Sequence, residues 1–149
     1  LEFVPVTKEN VSQLRQLNTA AFPIQYNAKF YNSIVQQQEP HLNKLAFWKG
    51  TLVGAICARV EPFEERPEGD ENHNAQNQSL QETVIQQQST SQSPQRLYLM
   101  TLCVVAPFRG RGIGTQLVES VLSYCQTAHN IVQVALHVQI SNQPALDFY

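Results

Sequence analysis

Apolar and polar residues alternate from Leu1 to Val6, the two-residue period of a short half-buried strand. The period then lengthens. Val11, Leu14 and Leu17 share one face of a helix, with Thr7 as its expected N-cap and Phe22-Pro23 as its end. A second helix is expected over about 27–37, with Phe30 and Ile34 inward. Leu45–Trp48 and Leu52–Val60 flank Lys49-Gly50 and together predict a β-hairpin. Arg96–Val105 reads as a strong strand. From Gly112 to about Ala128, residues Ile113, Leu117, Val121 and Cys125 recur at four-residue spacing, the stripe of an amphipathic helix. Ile131–Val138 alternates again, and Ser141 and Asn142 are placed to cap a last helix.

The order is β-α-α-β-β-insert-β-α-β-α. A strand, helix and strand around residues 97–138 call for a parallel pair with a right-handed crossover. The fold class is therefore α/β (α+β), a single domain over 1–149 with a mixed sheet. A length of 149 residues suits one domain. The 42% hydrophobic content supplies a core and excludes a fully disordered chain.

Residues 62–94 break the periodicity. The stretch 61–95 carries seven acids and one base, and it is rich in Gln, Asn and Ser. It has little apolar surface to bury, so ordering it would cost more than it returns. The expectation for 62–94 is a disordered acidic, Gln-rich insertion between two strands, acting as a solvated loop.

No apolar run approaches the roughly 18 residues of a membrane span, and the first residues lack a signal-peptide pattern. A net charge of −2 gives no sign of nucleic-acid binding. Cys57, Cys103 and Cys125 lie in apolar stretches without a C-x-x-C pair, and no His falls at ligand spacing with them. Buried free thiols in a reducing compartment are expected, and no metal. The start at Leu1 and the stop at Tyr149, inside the last helix pattern, suggest part of a longer protein.

The candidate chemistry lies in Val105-Ala106-Pro107-Phe108-Arg109-Gly110-Arg111-Gly112-Ile113-Gly114-Thr115, between a strand and a helix. Glycines let a backbone approach a ligand closely, and a helix start favours an anion such as a pyrophosphate. Arg109 and Arg111 add positive charge. No Lys completes a Walker A loop, and Thr115 stands where a dinucleotide fingerprint needs its third Gly. A Gly-rich turn with two solvated arginines remains open from the loop alone.

Arg109-x-x-Gly112-x-Gly114 after a strand resembles the acetyl-CoA pyrophosphate loop of the GNAT superfamily. The flanks sharpen the likeness: Arg96-Leu97-Tyr98-Leu99-Met100-Thr101-Leu102, Leu136-His137-Val138-Gln139-Ile140-Ser141-Asn142 and Ala145-Leu146-Asp147-Phe148-Tyr149 resemble the NatE-type N-terminal acetyltransferases. Phe22-Pro23-Ile24, Tyr26-Asn27 and Lys29-Phe30-Tyr31 resemble the first loop of that family. The resemblance covers nearly the whole chain outside the insertion, which is longer than the family's hairpin connection. It implies a GNAT fold whose closing strands lie beyond Tyr149.

The resemblance also implies roles. Tyr98 and His137 would be catalytic, taking the amine's proton through an ordered water before direct attack on the thioester. His suits a base on its own terms, with an unperturbed pKa of about 6.5. A structural His137 and a core Tyr98 are the plain alternatives. Main-chain groups of Leu102, Cys103 and Val104 would pair with the pantetheine arm of acetyl-CoA. Arg109, Gly110, Arg111, Gly112, Ile113, Gly114 and Thr115 would hold its pyrophosphate. Asn142 would touch the cofactor, with a helix cap as the alternative, and Tyr149 would sit near the sulfur. Phe22, Pro23, Ile24, Tyr26 and Met100 would bind the substrate, with helix-end packing the alternative for Phe22 and Ile24.

The function so implied is transfer of acetyl from acetyl-CoA to the α-amine of nascent or free protein N-termini, preferring Met followed by an apolar residue. Partners would be NatA subunits and, through them, the ribosome, with no direct nucleic-acid binding and no membrane. The expected location is the cytoplasm, with the nucleus as a second place. Two rivals stand beside it: a non-catalytic GNAT-like subunit of a NatA-type complex, and a GNAT enzyme acting on lysine side chains.

Overall fold

The computed structural model describes residues 1–37, 39–63, 93–128, 130–138 and 141–149. The expectation for the 62–94 insertion falls almost wholly on residues 64–92, outside the described residues. At its edges the strand pattern runs further than the sequence suggests. Strand β3 reaches Pro62, and the Phe63 N–H donates to the Pro94 carbonyl at 3.1 Å.

Strand β1 (Glu2–Pro5) leads to helix α1 (Val11–Ala21) and helix α2 (Ala28–Gln36). Asn10, not Thr7, stands at the N-cap of α1. Its side chain turns back instead, accepting from Thr7 N–H at 2.7 Å and donating to the Pro5 carbonyl at 3.0 Å. The Asn10 side chain thus closes a turn between β1 and α1, and the helix starts at Val11, three residues later than a Thr7 cap would place it. Asn27 caps α2 as a side-chain acceptor from Phe30 N–H at 3.0 Å.

Strands β2 (Asn43–Trp48) and β3 (Thr51–Pro62) form the expected hairpin. Lys49 (φ 49°) and Gly50 (φ 80°) are both left-handed, the turn whose twist matches the flanking strands. Strand β4 (Gln95–Val104), helix α3 (Ile113–Thr127), strand β5 (Ile131–Leu136) and helix α4 (Gln143–Phe148) complete the order. The sheet runs β1-β2-β3-β4-β5, antiparallel except for the expected parallel β4–β5 pair.

Two apolar clusters face opposite sides of this sheet. Ile113, Leu117 and Val121 of α3 pack with Val53, Ile56, Leu97 and Leu99. Leu14 and Leu17 of α1 and Tyr31 and Ile34 of α2 pack with Leu45, Ala55, Cys57 and Cys103. Strand β4 contributes to both, and a bulge shifts which of its positions face each one. Cys57 pairs with Thr101 and Ala58 with Leu99, leaving Met100 as the extra residue. Odd positions of β4 face α3 before Met100 and face α1 and α2 after it.

The β5 expectation needs two corrections. The strand stops at Leu136, so His137 and Val138 follow it rather than belong to it. Val132 and Val134, the apolar alternates, are 58% and 43% exposed. In the described sheet β5 pairs only with β4, and the face that carries Val132 and Val134 is left uncovered among the described residues.

Candidate active site

The parallel pairing of β4 and β5 ends at Leu99 and Leu136. Beyond it β4 continues through the Met100 bulge, pairing only with β3, where Leu102, Cys103 and Val104 face Ile56, Ala55 and Gly54. Among the described residues this leaves one backbone edge of Leu102–Val104 open. An extended amide-bearing chain could add to it as a strand does. Gly54 keeps the other edge tight: a Cβ there would meet the Cys103 carbonyl oxygen at 2.7 Å.

Two groups meet where the strands part. Tyr98 Oη lies 2.6 Å from His137 Nδ1, with ring centroids 5.5 Å apart. Tyr98 is half-buried on β4, opposite Ala135, and His137 is exposed two residues further on. The pair can relay a proton, because a neutral imidazole and a phenol each have one group that donates and one that accepts.

Past β4, a single 3-10 turn at Ala106–Phe108 leads into the Gly-rich loop. Gly110 (φ 76°) and Gly112 (φ 80°) are left-handed, which answers why glycine stands there. A Cβ at either would meet open space, so conformation and not room is the constraint. Gly112 is the N-cap of α3 and no side chain bonds the helix start, so its first N–H groups are available to an anion. Gly110, Arg111, Gly112 and Thr115 are exposed, and Ile113 is buried in the core, so its contribution to binding is its backbone.

The two arginines are tethered rather than loose. Arg109 Nε donates to the Val104 carbonyl at 2.8 Å, joining the loop to the open edge of β4. The Arg111 guanidinium lies 5.2 Å from the Phe108 ring centroid. Gly114 lets α4 pack down on α3, since its Cβ would lie 3.4 Å from the Phe148 ring. Asn142 does act as the helix cap, its oxygen accepting from Ala145 N–H at 3.3 Å. Tyr149 is half exposed, and desolvation raises its phenol above the ordinary value, which keeps its proton on.

The expected substrate residues divide. Phe22, Tyr26 and Met100 pack against the α1–α2 cluster. Tyr26 stacks on Phe30 at 4.4 Å and meets Phe22 edge-on at 6.3 Å. Burial raises the Tyr26 phenol, and Cys57, Tyr31 and Tyr98 add to the effect. Pro23 and Ile24 project from the α1–α2 loop, with Ile24 67% exposed, so the helix-end packing alternative does not hold for Ile24. A cleft of about 570 Å³ opens along α2, and of the expected substrate residues Met100 alone stands in its wall. Its other lining includes Lys29, Phe30 and Arg59.

Arg59, Glu61 and Arg96 belong to this site and are not legible as such in the sequence. Arg59 sits opposite Tyr98 on the neighbouring strand, and Glu61 sits opposite Arg96. The pairing of β3 with β4, more than thirty residues apart at this point, creates these neighbours, and no local spacing reveals it. Among the thiols, Cys57 and Cys103 are buried and Cys125 is partly so, all three free. Burial pushes Cys57 up to about 12, which suits a packing residue and not a nucleophile.

Comparison with known proteins adds three findings to this geometry. The acetyltransferase (GNAT) family model matches residues 11–149. The chain is 38% identical over 149 residues to N-alpha-acetyltransferase 50 of Danio rerio, covering all of this chain and 71% of that protein. It is 35% identical to the probable N-acetyltransferase san of Drosophila melanogaster, covering all of this chain and 65% of that one. Among solved structures, Arabidopsis thaliana Naa50 in complex with the bisubstrate analogue CoA-Ac-MVNAL superposes with a TM-score of 0.71 at 32% identity. That match covers 99% of this chain and 78% of the other.

Proposed function

The chain belongs to the acetyltransferase (GNAT) family and is an N-alpha-acetyltransferase, and from that premise we propose that it acetylates protein N-termini beginning with Met and an apolar residue, using Tyr98 and His137 as its proton-handling pair. Acetyl-CoA is the donor. The observation that carries the mechanism is the 2.6 Å contact between Tyr98 Oη and His137 Nδ1 at the point where β4 and β5 separate.

An α-ammonium has no lone pair, so it must lose a proton before it can attack. His137, exposed beside Tyr98, is placed to draw that proton off through a water. The free amine then attacks the thioester carbonyl, the nitrogen gives up its second proton to water, the carbon–sulfur bond breaks as the amide forms, and the thiolate takes up a proton. Tyr149, with its phenol held protonated by desolvation, is the group in this chain suited to give that proton. The open edge of Leu102–Val104 supports binding of the pantetheine arm. The left-handed glycines and uncapped start of α3, with Arg109 and Arg111, support binding of the pyrophosphate. Asn142 adds a polar contact from the head of α4.

Phe22, Pro23, Ile24, Tyr26 and Met100 offer an apolar wall to the first two residues of the acceptor. The Arabidopsis relative was solved with an analogue whose peptide part begins Met-Val, which supports the same preference here. Association with NatA subunits and through them the ribosome, and a place in cytoplasm and nucleus, complete the proposal. They rest on the likeness to NatE-type enzymes.

Thiol release from acetyl-CoA tests the reading with three acceptors. A Met-Leu peptide should turn over, a Ser-Ser peptide should turn over poorly, and an N-terminally blocked Met-Leu peptide with an internal lysine should not. Faster turnover of the blocked peptide would assign the activity to lysine. No turnover of any, with acetyl-CoA bound, would assign the chain a non-catalytic part.

A further inference from the structure

We propose that Glu61 is a positioning residue, holding the Arg59 and Arg96 guanidinium groups on the Tyr98 ring so that its hydroxyl stays on His137. The proposal deepens the acetyltransferase reading and rests on it for the assignment of Tyr98 and His137.

Four side chains share one face of the β3–β4 pair. Arg59 is the cross-strand neighbour of Tyr98, and Glu61 is the cross-strand neighbour of Arg96. Each carboxylate oxygen of Glu61 serves a different arginine. Oε2 accepts from Arg59 Nε at 3.1 Å and is ion-paired with Nη2 at the same distance, and Oε1 accepts from Arg96 Nε. Held this way, the Arg59 guanidinium carbon lies 5.2 Å from the Tyr98 ring centroid and that of Arg96 lies 5.8 Å from it. Both distances fall inside the range of a cation–π contact.

The logic is one of orientation. A tyrosine ring on a strand turns about its side-chain torsions, and a swing of the ring carries the hydroxyl away from Nδ1. Two cations drawn to the ring damp that swing. Two free guanidinium groups side by side would repel and disperse, so the shared carboxylate is what keeps them together. The side chains are exposed by 54% for Arg59, 36% for Arg96 and 19% for Glu61. Ion pairs so open to water add little to stability. Their effect should therefore appear in turnover and not in unfolding.

The test compares Glu61→Gln with native protein by steady-state kinetics, thermal melting and long-range proton–nitrogen spectra of the His137 ring. Glu61→Gln should lower kcat for a Met-Leu peptide about tenfold, well within the roughly hundredfold that an ångström of misplacement costs. The acetyl-CoA KM and the Tm should not move. Glu61→Asp, which keeps the charge, should recover part of the loss. On the residual rate of Tyr98→Phe, adding Glu61→Gln should have no further effect. The His137 Nδ1 resonance should shift toward its position in Tyr98→Phe.

A kcat within twofold of native with an unmoved Nδ1 signal overturns the proposal, and so does an equal loss in the Tyr98→Phe background. Should Glu61→Gln fail to fold, Arg59→Met removes the most exposed member and should give the same kcat loss and Nδ1 shift. If native protein turns over no peptide, the acetyltransferase reading fails, and the ring-nitrogen signals still decide whether Glu61 holds Tyr98.

Discussion

The Tyr98 hydroxyl and His137 Nδ1 stand 2.6 Å apart although 39 residues separate them along the chain. Parallel pairing of Tyr98 with Ala135 sets the distance, and the end of β5 at Leu136 turns His137 out of the ladder to meet it. Proton transfer by a positioned group is worth about 10²–10⁴ in rate. Tyr98→Phe and His137→Ala should each lower kcat within that range, and the double variant should lose less than the product of the two. The hydrogen bond itself contributes only about 1 kcal/mol net, so both single variants should stay folded. Thiol-release kinetics beside thermal melts check this, and additive losses would mean that the two residues do not act as a pair.

Glycine has two different reasons to be near the cofactor loop, and two substitutions separate them. Gly112 is left-handed in open space, so Gly112→Ala strains the backbone by about 1–2 kcal/mol and distorts the start of α3. It should weaken acetyl-CoA binding, read by calorimetry, with a modest fall in Tm. At Gly54 the obstacle is the Cys103 carbonyl at 2.7 Å. Gly54→Ala must part β3 from β4 and should cost about 1–3 kcal/mol in stability, the range of overpacking.

Met100 and Ile24 should answer differently to truncation. Met100 packs on the α1–α2 cluster, while Ile24 is 67% exposed on its loop. Met100→Ala should lower Tm and raise the peptide KM. Ile24→Ala should raise the peptide KM and leave Tm alone. An apolar pocket contact is worth about 1–3 kcal/mol, so each KM should rise about tenfold or somewhat more. The acetyl-CoA KM is the control and should not change.

Stability should fall at alkaline pH through the buried thiols. Cys57 is pushed up to about 12 in the folded protein, so the folded state keeps a proton that the unfolded chain releases near 8.5. The stability this provides is complete below the unfolded value and drains away as pH rises toward the folded one. The slope between about 9 and 12 is at most about 1.4 kcal/mol per pH unit for this one group. Cys57→Ala should flatten that slope in denaturant titrations at several pH values. It should not abolish it, since burial also raises Cys103 and Cys125. An unchanged slope would place the alkaline sensitivity elsewhere.

The sequence by itself determined the element order, the hairpin at Lys49-Gly50, the parallel β4–β5 unit and the glycine loop. Each is written in short-range terms: a period of two or near four, a turn needing positive φ, a helix start without a capping side chain. The motifs around Tyr98 and His137 also singled out these two residues, and the structure brings them into contact. Tertiary structure decided what depends on register between distant strands. The Met100 bulge reverses which residues of β4 face α1 and α2, and no periodicity records a one-residue insertion into a ladder. The stop of β5 at Leu136 and the exposure of Val132 and Val134 depend on what packs around the strand, which its own alternation does not record. The pairing of Arg59 and Glu61 with Tyr98 and Arg96 exists only because β3 and β4, far apart along the chain, meet in the sheet. Local chemistry sets which backbone shape each segment takes, and long-range pairing sets which side chains then become neighbours.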